Sequence, residues 1–169
     1  MKILETERLT LRELTSADDA EFVYALLNTP KFIQYIGDRG VRTVEQAREF
    51  IENRYRQSYR DHGFGLYAVE LKAANTAVGM CGFVRRDTLP GPDLGFAFLP
   101  EHEGRGYGFE SAKAVMGYGR ETLGFTTVLA ITSQDNDVSG KLLEKLGFKF
   151  DGLIESGDET LKLYSSEPS

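Results

Sequence analysis

Three glycines at alternate positions, Gly104, Gly106 and Gly108, form the part of the sequence that points most clearly to chemistry. They lie between a strand-like run and a helical pattern, so the loop that contains them opens a helix. Glycine allows positive φ and close approach of the backbone to a ligand. The start of a helix adds free N–H groups and the positive end of the helix dipole. These features predict a phosphate or pyrophosphate site, although a tight structural turn would use the same residues.

The spacing of the glycines excludes two other phosphate-binding loops. A P-loop needs Gly-x-x-x-x-Gly-Lys-Ser/Thr, and the sequence contains no such run. The dinucleotide fingerprint needs G-x-G-x-x-G after the first strand of a βαβ unit. Here the third glycine comes one residue early, and residues 1–103 of different patterning precede the loop.

The elements around the loop predict a mixed α/β fold class with one central sheet. Short alternating runs bounded by turn residues indicate strands at 3–13, 64–71, 76–85, 92–98, 126–132, 148–155 and 159–164. Helical periodicity indicates helices from Ser16 up to Pro30 and at 31–36, 43–61, 106–123 and 136–146. We therefore expect a twisted, mostly antiparallel sheet of about seven strands flanked by helices, with one parallel pair at the β-α-β crossover.

Local signals mark several helix ends. Ser16 is expected to cap the first helix, and the Thr43 to Gln46 segment has the pattern of a capping box. Gly124 and Gly147 stand where the glycine that follows a helix C-terminus belongs.

The composition is that of an ordinary globular protein and fits a single domain over residues 1–169. Cys81 is the only cysteine, which excludes an intrachain disulfide and a multi-cysteine zinc site, and its apolar neighbours predict a core position. His62 and His102 are far apart and have no third partner, so no metal is expected.

Charge and hydropathy narrow the partners and the location. The net charge of −6 argues against nucleic-acid binding, which needs a basic surface. No run approaches the roughly 20 apolar residues of a membrane span, and the charged N-terminal segment is unlike a signal peptide. We therefore expect no membrane association and a cytoplasmic location.

The chain resembles the GCN5-related N-acetyltransferases, and within them the RimJ/RimL-like group. Residues 103–108 are similar to the family's Gln/Arg-x-x-Gly-x-Gly/Ala motif, and residues 5–12, Glu-Thr-Glu-Arg-Leu-Thr-Leu-Arg, are similar to the start of that group. Asp-Leu-Gly-Phe at 93–96, Asn136 with Ser139, and Glu-Lys-Leu-Gly-Phe at 144–148 follow in the family's order. The resemblance covers nearly the whole chain.

This resemblance implies acetyl-CoA as cosubstrate and assigns residues to it. Backbone N–H groups of the loop would hold the pyrophosphate, and these belong to Gly104, Arg105, Gly106, Tyr107 and Gly108. The strand end formed by Ala97, Phe98 and Leu99 would pair with the pantetheine arm, with the Phe98 N–H facing the thioester oxygen. Asn136 would hydrogen-bond the pantetheine, and Ser139 would lie near the sulfur.

The implied reaction is direct attack of a primary amine on the thioester in a ternary complex, with two candidate catalytic residues. Asp93 would act as the base through a water molecule, and its structural alternative is a strand-edge aspartate beside Pro92. Ser139 would donate a proton on the thiol side, or instead bond to the backbone of its own helix, while Asn136 could serve only as a helix cap.

Two positions depart from the family pattern. Glu103 replaces a neutral or basic residue beside the pyrophosphate site, and we expect its carboxylate to point to solvent. Leu143 stands where many relatives carry a tyrosine that protonates the leaving thiolate. In this chain another group must therefore protonate the thiolate, or the thiolate leaves unprotonated.

The resemblance does not identify the acceptor amine. A protein N-terminal amine, a polyamine and a small amine all fit, and the chain could act as a monomer or homodimer. The family places the acceptor beside residues 30–40 and the 43–61 helix, where Tyr55 and Tyr59 are expected to pack. The alternatives are a non-catalytic acyl-CoA sensor on the same fold and a structural module that has lost cofactor binding.

Overall fold

The computed structural model describes residues 1–167, which form one eight-stranded sheet of order β1-β2-β3-β4-β5-β6-β8-β7. The strands are β1 (Lys2–Glu5), β2 (Leu9–Arg12), β3 (Leu66–Leu71), β4 (Thr76–Val84), β5 (Asp93–Phe98), β6 (Val128–Ser133), β7 (Lys149–Ser156) and β8 (Glu159–Ser166). The helices are α1 (Ser16–Leu27), α2 (Pro30–Tyr35), α3 (Val44–Phe50), α4 (Gln57–His62), α5 (Tyr107–Glu121) and α6 (Asp137–Lys145). The mixed α/β fold class is confirmed.

The prediction of one continuous strand at 3–13 is wrong, because the chain turns back at residues 6–8 and forms the hairpin β1–β2. The Thr6 N–H donates to the Leu9 carbonyl over 2.9 Å, and the Leu9 N–H donates to Thr6 Oγ1 over 3.1 Å. The turn contains neither glycine nor proline, so the sequence gives no turn signal there.

The helix signals are partly confirmed. Thr43 caps α3 by accepting from the Gln46 N–H over 3.0 Å, and Gly124 and Gly147 both adopt positive φ. The predicted cap of α1 is wrong by one residue, since Thr15 rather than Ser16 accepts a hydrogen bond from the backbone of the first turn. Pro30 begins α2 behind a Thr29 cap.

The predicted 43–61 helix is not uniform. Residues Ile51–Arg56 are π-helical and join α3 to α4. A π-helical segment carries one extra residue per turn, which rotates the side chains around it relative to a regular helix.

Each face of the sheet carries its own hydrophobic core. Successive residues of a strand point to opposite faces. Accordingly, Cys81 and Leu94 pack in the core beneath α5, while Met80 and Ala97 pack in or against the core beneath α1 and α3. We call these two sides of the sheet the α5 face and the α1 face. The prediction that Cys81 is a core residue is confirmed.

The only parallel pair described in the sheet is β5 with β6, as the β-α-β pattern predicted. Asp93 lies opposite Leu129, whose N–H donates to the Pro92 carbonyl over 2.9 Å, and the two strands are not paired beyond this point. We call the gap between residues 95–98 of β5 and residues 130–133 of β6 the wedge.

No helix within residues 1–167 has both the length and the apolar character needed to cross a membrane.

Candidate functional site

The wedge exposes backbone groups that would be paired in a continuous sheet. The Leu99 N–H donates to the Val78 carbonyl of β4 over 2.9 Å. Because hydrogen bonding alternates along a strand, the N–H groups of Phe96 and Phe98 face away from β4 and into the wedge. Backbone polar groups at such a position need partners, so the wedge fits an extended ligand that carries amides.

The glycine loop lies at the open end of the wedge. Gly104 and Gly106 have φ of +77° and +84°, values that L side chains rarely adopt, and Gly106 caps α5 without any side-chain hydrogen bond. The first N–H groups of α5 are therefore available to an anion. A Cβ added at Gly108 would lie 3.4 Å from Leu142 Cδ2 and 3.7 Å from Phe98 Cε2, so the start of α5 lies beside α6 and the end of β5.

The start of α6 lies at the same end of the wedge, because β5 and β6 are parallel and both lead out of the sheet there. Asn136 Oδ1 accepts from the Ser139 N–H over 3.2 Å, so Asn136 is a helix cap. This bond uses the amide oxygen and leaves the Asn136 Nδ2 group free to donate to a ligand. Ser139 is half-buried beside it.

Thr132 on β6 is a residue that the sequence did not single out. Its Oγ1 is the only buried side-chain nitrogen or oxygen within residues 1–167 that lacks a hydrogen-bond partner. A buried hydroxyl without a partner is costly, and Thr132 borders the wedge. Threonine is common in strands, so its type alone gave no signal.

A network centred on Glu110 fixes the position of the glycine loop. The Glu110 carboxylate accepts from Thr6 Oγ1 over 2.5 Å and from the Arg8 N–H over 3.0 Å, and it pairs with the Arg8 guanidinium. Arg8 Nη1 also donates to the Arg105 carbonyl over 3.0 Å, and its Cζ lies 4.7 Å from the Tyr107 ring centroid. Burial alone would raise the pKa of Glu110, but the hydrogen bonds from Thr6 and Arg8 lower it below its ordinary value. The β1–β2 turn is thus clamped onto the start of α5.

An open depression of about 640 Å³ adjoins this network beside Gly106. Three cations line it, namely Arg8, Lys113 and Lys145, together with the carboxylates Glu7 and Glu110. Lys145 Nζ lies 4.5 Å from the Phe109 ring centroid. The cations give the outer end of the site a local positive character that the acidic whole chain lacks.

Glu103 is exposed, as expected, and it also has a partner. Its Oε2 lies 3.0 Å from Lys31 Nζ of α2, which partly neutralises the carboxylate beside the loop. Leu143 is 1% exposed and belongs to the core on the α5 face, so it offers no proton donor.

Asp93 lies at the closed end of the wedge, away from the loop. Phe98 is five residues further along β5, about 17 Å at the usual rise of a strand. The Asp93 side chain is 2% exposed and accepts from Arg86 Nε over 2.9 Å. Burial raises the pKa of Asp93 to about 6, against the opposing effect of Arg86. The structure thus gathers the loop, the end of β5 and the start of α6 at one end of the wedge and sets Asp93 at the other.

A second depression, of about 330 Å³, lies on the α1 face between residues 39–41 and the π-helical segment. Arg39, Gln46, Glu49, Phe50, Asn53 and Arg54 line it. Tyr55 and Tyr59 are packed, as expected, with Tyr55 against Phe50 of the depression and Tyr59 stacked on Tyr67. Tyr59 donates to the Leu66 carbonyl over 2.5 Å, and Tyr55 is 8% exposed.

No group of three His, Cys, Asp or Glu side chains within residues 1–167 has an arrangement suited to a metal ion.

The sheet opens between two parallel strands, and a glycine-rich loop suited to an anion lies at the opening, so the site fits an extended ligand that carries phosphate groups. Residues 8–149 match the family model for the acetyltransferase (GNAT) domain, and the chain belongs to this family. It is therefore an acetyltransferase with acetyl-CoA as cosubstrate.

Three known proteins illustrate the relationship. YoaA of Bacillus subtilis (strain 168), described as an uncharacterized N-acetyltransferase, is 29% identical over 153 residues, which cover 90% of this chain and 85% of YoaA. The crystal structure of the acetyltransferase from Agrobacterium tumefaciens str. C58 is 26% identical, with a TM-score of 0.83 and coverage of 99% and 95%. RimL, the ribosomal L7/L12 alpha-N-protein acetyltransferase in complex with coenzyme A, has a TM-score of 0.81, 14% identity and coverage of 99% and 98%. At that identity RimL shows a shared fold alone.

Proposed function

We propose that this protein transfers the acetyl group of acetyl-CoA to a primary amine by direct attack in a ternary complex. The proposal rests on the wedge, because its unpaired strand edges lead from the glycine loop to the interior of the sheet. A thioester is already activated, so orienting the two substrates supplies much of the catalysis, about 7–11 kcal/mol in well-oriented cases.

The cosubstrate would lie along the wedge. Its pyrophosphate binds the N–H groups of the loop, from Gly104 through Arg105, Gly106 and Tyr107 to Gly108. Its pantetheine arm pairs with Ala97, Phe98 and Leu99 like an added strand. Asn136 Nδ2 is a side-chain donor available to its amides, because the cap of α6 uses only the amide oxygen. The nucleotide end would lie over the basic depression beside Gly106.

The chemical step needs a donor for the oxyanion and two proton transfers. The Phe98 N–H, or that of Phe96, would stabilise the tetrahedral oxyanion, worth about 3 kcal/mol for one donor. Phe96 is the nearer of the two donors to Asp93, three residues or about 10 Å along β5. Asp93 would therefore accept the amine proton through water from an amine that attacks a thioester held at Phe96, and its raised pKa of about 6 suits a base at neutral pH. As the C–S bond breaks, the Ser139 hydroxyl would donate a hydrogen bond to the leaving thiolate and relay to it a proton taken from water.

The acceptor in this proposal is a protein N-terminal amine, a small amine or a polyamine, in line with the resemblance to the RimJ/RimL-like group. The cytoplasmic location and the choice between monomer and homodimer stay predictions.

Two assays test the proposal together. Acetyl-CoA at millimolar concentration should raise the melting temperature of the protein, because it binds only the folded state. Acetyl-CoA with a panel of primary amines should then release free thiol, detected by a colorimetric reagent, and give N-acetylated amines in mass spectrometry. A shift in melting temperature without thiol release on any amine would favour a non-catalytic acyl-CoA sensor. No shift at all would contradict the site itself.

A further inference from the structure

The depression on the α1 face brings together arginines from distant parts of the chain. Arg39 and Arg54 line it directly. Arg86 belongs to the segment between β4 and β5, and its Nε donates to buried Asp93 over 2.9 Å. The charge of Arg86 lowers the pKa of Arg39, so Arg86 lies between the depression and Asp93 at the closed end of the wedge, where the acceptor amine must approach the proposed base.

Neither Arg39 nor Arg54 has a carboxylate within 4.0 Å in the described part of the chain, and neither makes a side-chain hydrogen bond there. Their neighbours behave differently, since Arg42 pairs with Asp38, Arg48 with Glu45 and Arg56 with Glu13. Glu49 also lines the depression, but it lies beyond 4.0 Å of both guanidiniums. The depression therefore holds two arginine charges without a direct counter-ion.

The backbone presents both arginines from fixed positions. Arg54 is on the π-helical segment, a feature that often marks functional sites, and its Cζ lies 5.3 Å from the Phe50 ring centroid. Arg39 is on a loop in which Asp38 accepts from the Gly40 N–H over 2.8 Å and pairs with Arg42. Both guanidiniums line the depression, where they could donate hydrogen bonds to a planar oxyanion.

The pKa shifts of Arg39 and Tyr55 are consistent with charged groups lying near them. Partial burial lowers the pKa of Arg39, and the nearby charge of Arg86 lowers it further. Burial raises the pKa of Tyr55, and the charges of Arg39 and Arg54 oppose that rise. Arg39 and Arg54 are therefore close enough to Tyr55 for their charges to affect its hydroxyl.

We infer that this depression binds an oxyanion carried by the acceptor, so that the preferred substrate is a primary amine that also bears a carboxylate or phosphate group. The inference rests on the proposed acetyl transfer and names its substrate class. Arginine binds carboxylates and phosphates through paired, charge-assisted hydrogen bonds. The same charges would repel a polyamine, even though the whole protein is acidic.

A matched series of acceptors tests the inference. The small amines are 3-aminopropanoate, 2-aminoethyl phosphate, propylamine and 1,3-diaminopropane, and the peptides are an Ala-Asp-Glu peptide and its Ala-Asn-Gln counterpart, both amidated. We expect kcat/KM for an anionic acceptor to exceed that of its neutral match by about tenfold or more. Comparing the small amines with the peptides distinguishes a free metabolite from an acidic protein N-terminus as the acceptor. Comparing 3-aminopropanoate with 2-aminoethyl phosphate shows which of the two oxyanions is preferred.

Variants connect the preference to the named residues. Arg39→Ala and Arg54→Ala should each lower kcat/KM for the anionic acceptor about tenfold, while neutral amines and the Kd of acetyl-CoA stay unchanged. Arg54→Lys should restore part of the loss, because it keeps the charge but not the paired geometry. Arg54→Glu should favour 1,3-diaminopropane. Arg48→Ala, on α3 and paired with Glu45, is the matched control and should have no effect.

Failure of the inference differs from failure of the proposed function. Thiol release on neutral or dicationic amines that equals or exceeds release on anionic ones would overturn the inference and leave acetyl transfer intact. The same holds if Arg39→Ala and Arg54→Ala retain full activity with anionic acceptors. Absence of acetylation for every amine, while acetyl-CoA still binds, would overturn the proposed function.

Discussion

The wedge and the depression on the α1 face are built in opposite ways. The wedge side consists mainly of backbone groups from one continuous stretch, β5, the glycine loop and the start of α5. The depression is lined largely by side chains from two segments, the loop at residues 39–41 and the helical residues 46–54. A backbone site needs particular glycines at particular spacings, whereas a side-chain site can be assembled from any suitable neighbours in the fold. The first kind leaves a pattern in the sequence and the second does not.

An ion pair joins the glycine loop to α2, since Lys31 lies 3.0 Å from Glu103. This pair is exposed and contributes little to stability, so the glycine loop and the depression should respond separately to substitutions. Substitutions in each region test that separation.

Gly106→Val should abolish detectable acetyl-CoA binding while the protein stays folded. Gly106 has φ of +84°, which valine cannot adopt without strain of about 1–3 kcal/mol, and an added Cβ would lie 3.3 Å from Arg8 Nη2. Calorimetry gives the affinity and circular dichroism the fold. Gly117→Ala is the control, because Gly117 lies inside α5 with no atom near an added Cβ, and binding should persist. Unchanged binding by Gly106→Val would remove the loop from the cosubstrate site.

Asp93→Asn should lower kcat about a hundredfold with little change in acetyl-CoA affinity, as expected for loss of a general base. In the parent protein kcat/KM should fall as the pH drops below about 6, the raised pKa of Asp93, and the Asn variant should lose this acidic limb. A pH–rate profile is the measurement. An acidic limb that remains in the variant would assign the base elsewhere.

The same group affects stability with a definite sign. The pKa of Asp93 rises from 3.8 to about 6 on folding, so the folded state binds more protons between these values. The contribution of Asp93 to the free energy of unfolding should therefore fall as the pH rises from about 4 to about 6, and stay constant above. Urea unfolding of parent and Asp93→Asn across this range measures it, and parallel curves would contradict the shift.

Glu110→Gln should weaken acetyl-CoA binding several-fold and lower the free energy of unfolding by about 1–2 kcal/mol. The substitution removes the charge that holds Arg8 and, through Arg8, the Arg105 carbonyl. Calorimetry and urea unfolding are the measurements. Lys2→Ala removes an exposed pair with Glu5 in the same hairpin and should change neither. Equal effects of the two variants would show that the clamp does not position the loop.

Thr43→Ala should act on the acceptor region alone. It removes the cap of α3, worth about 1 kcal/mol, and loosens the helix that leads into the π-helical segment. We expect a modest rise in KM for the amine, measured by steady-state kinetics, and no change in the Kd of acetyl-CoA, measured by calorimetry. A parallel change in the two constants would argue against separate regions.

What the sequence could predict follows the same division. The loop at Gly104, the strand that begins at Asp93 and the cap at Asn136 were recognised because each depends on residues close in the chain. The β1–β2 turn was missed because its anchor, Glu110, lies about a hundred residues from Thr6. Ser16 and Thr15 are both good caps, so the sequence could not choose between them.

The acceptor region was less predictable for physical reasons. The π-helical segment follows ordinary helical periodicity in sequence, so its extra residue per turn gave no signal. The arginines of the depression are separated in sequence by other elements, and only the fold places them together. Thr132 was missed because the lack of a partner for its hydroxyl is a property of the packed sheet.

Amide hydrogen exchange along β5 tests most directly whether acetyl-CoA occupies the wedge. The Phe96 and Phe98 N–H groups face the wedge without a strand partner, so they should exchange readily in the free protein. Saturating acetyl-CoA should slow exchange at Phe96, at Phe98 and from Gly104 to Gly108, while Gly40 and Val41 beside the depression should not change. Protection confined to the α1 face, or none along β5, would contradict the account.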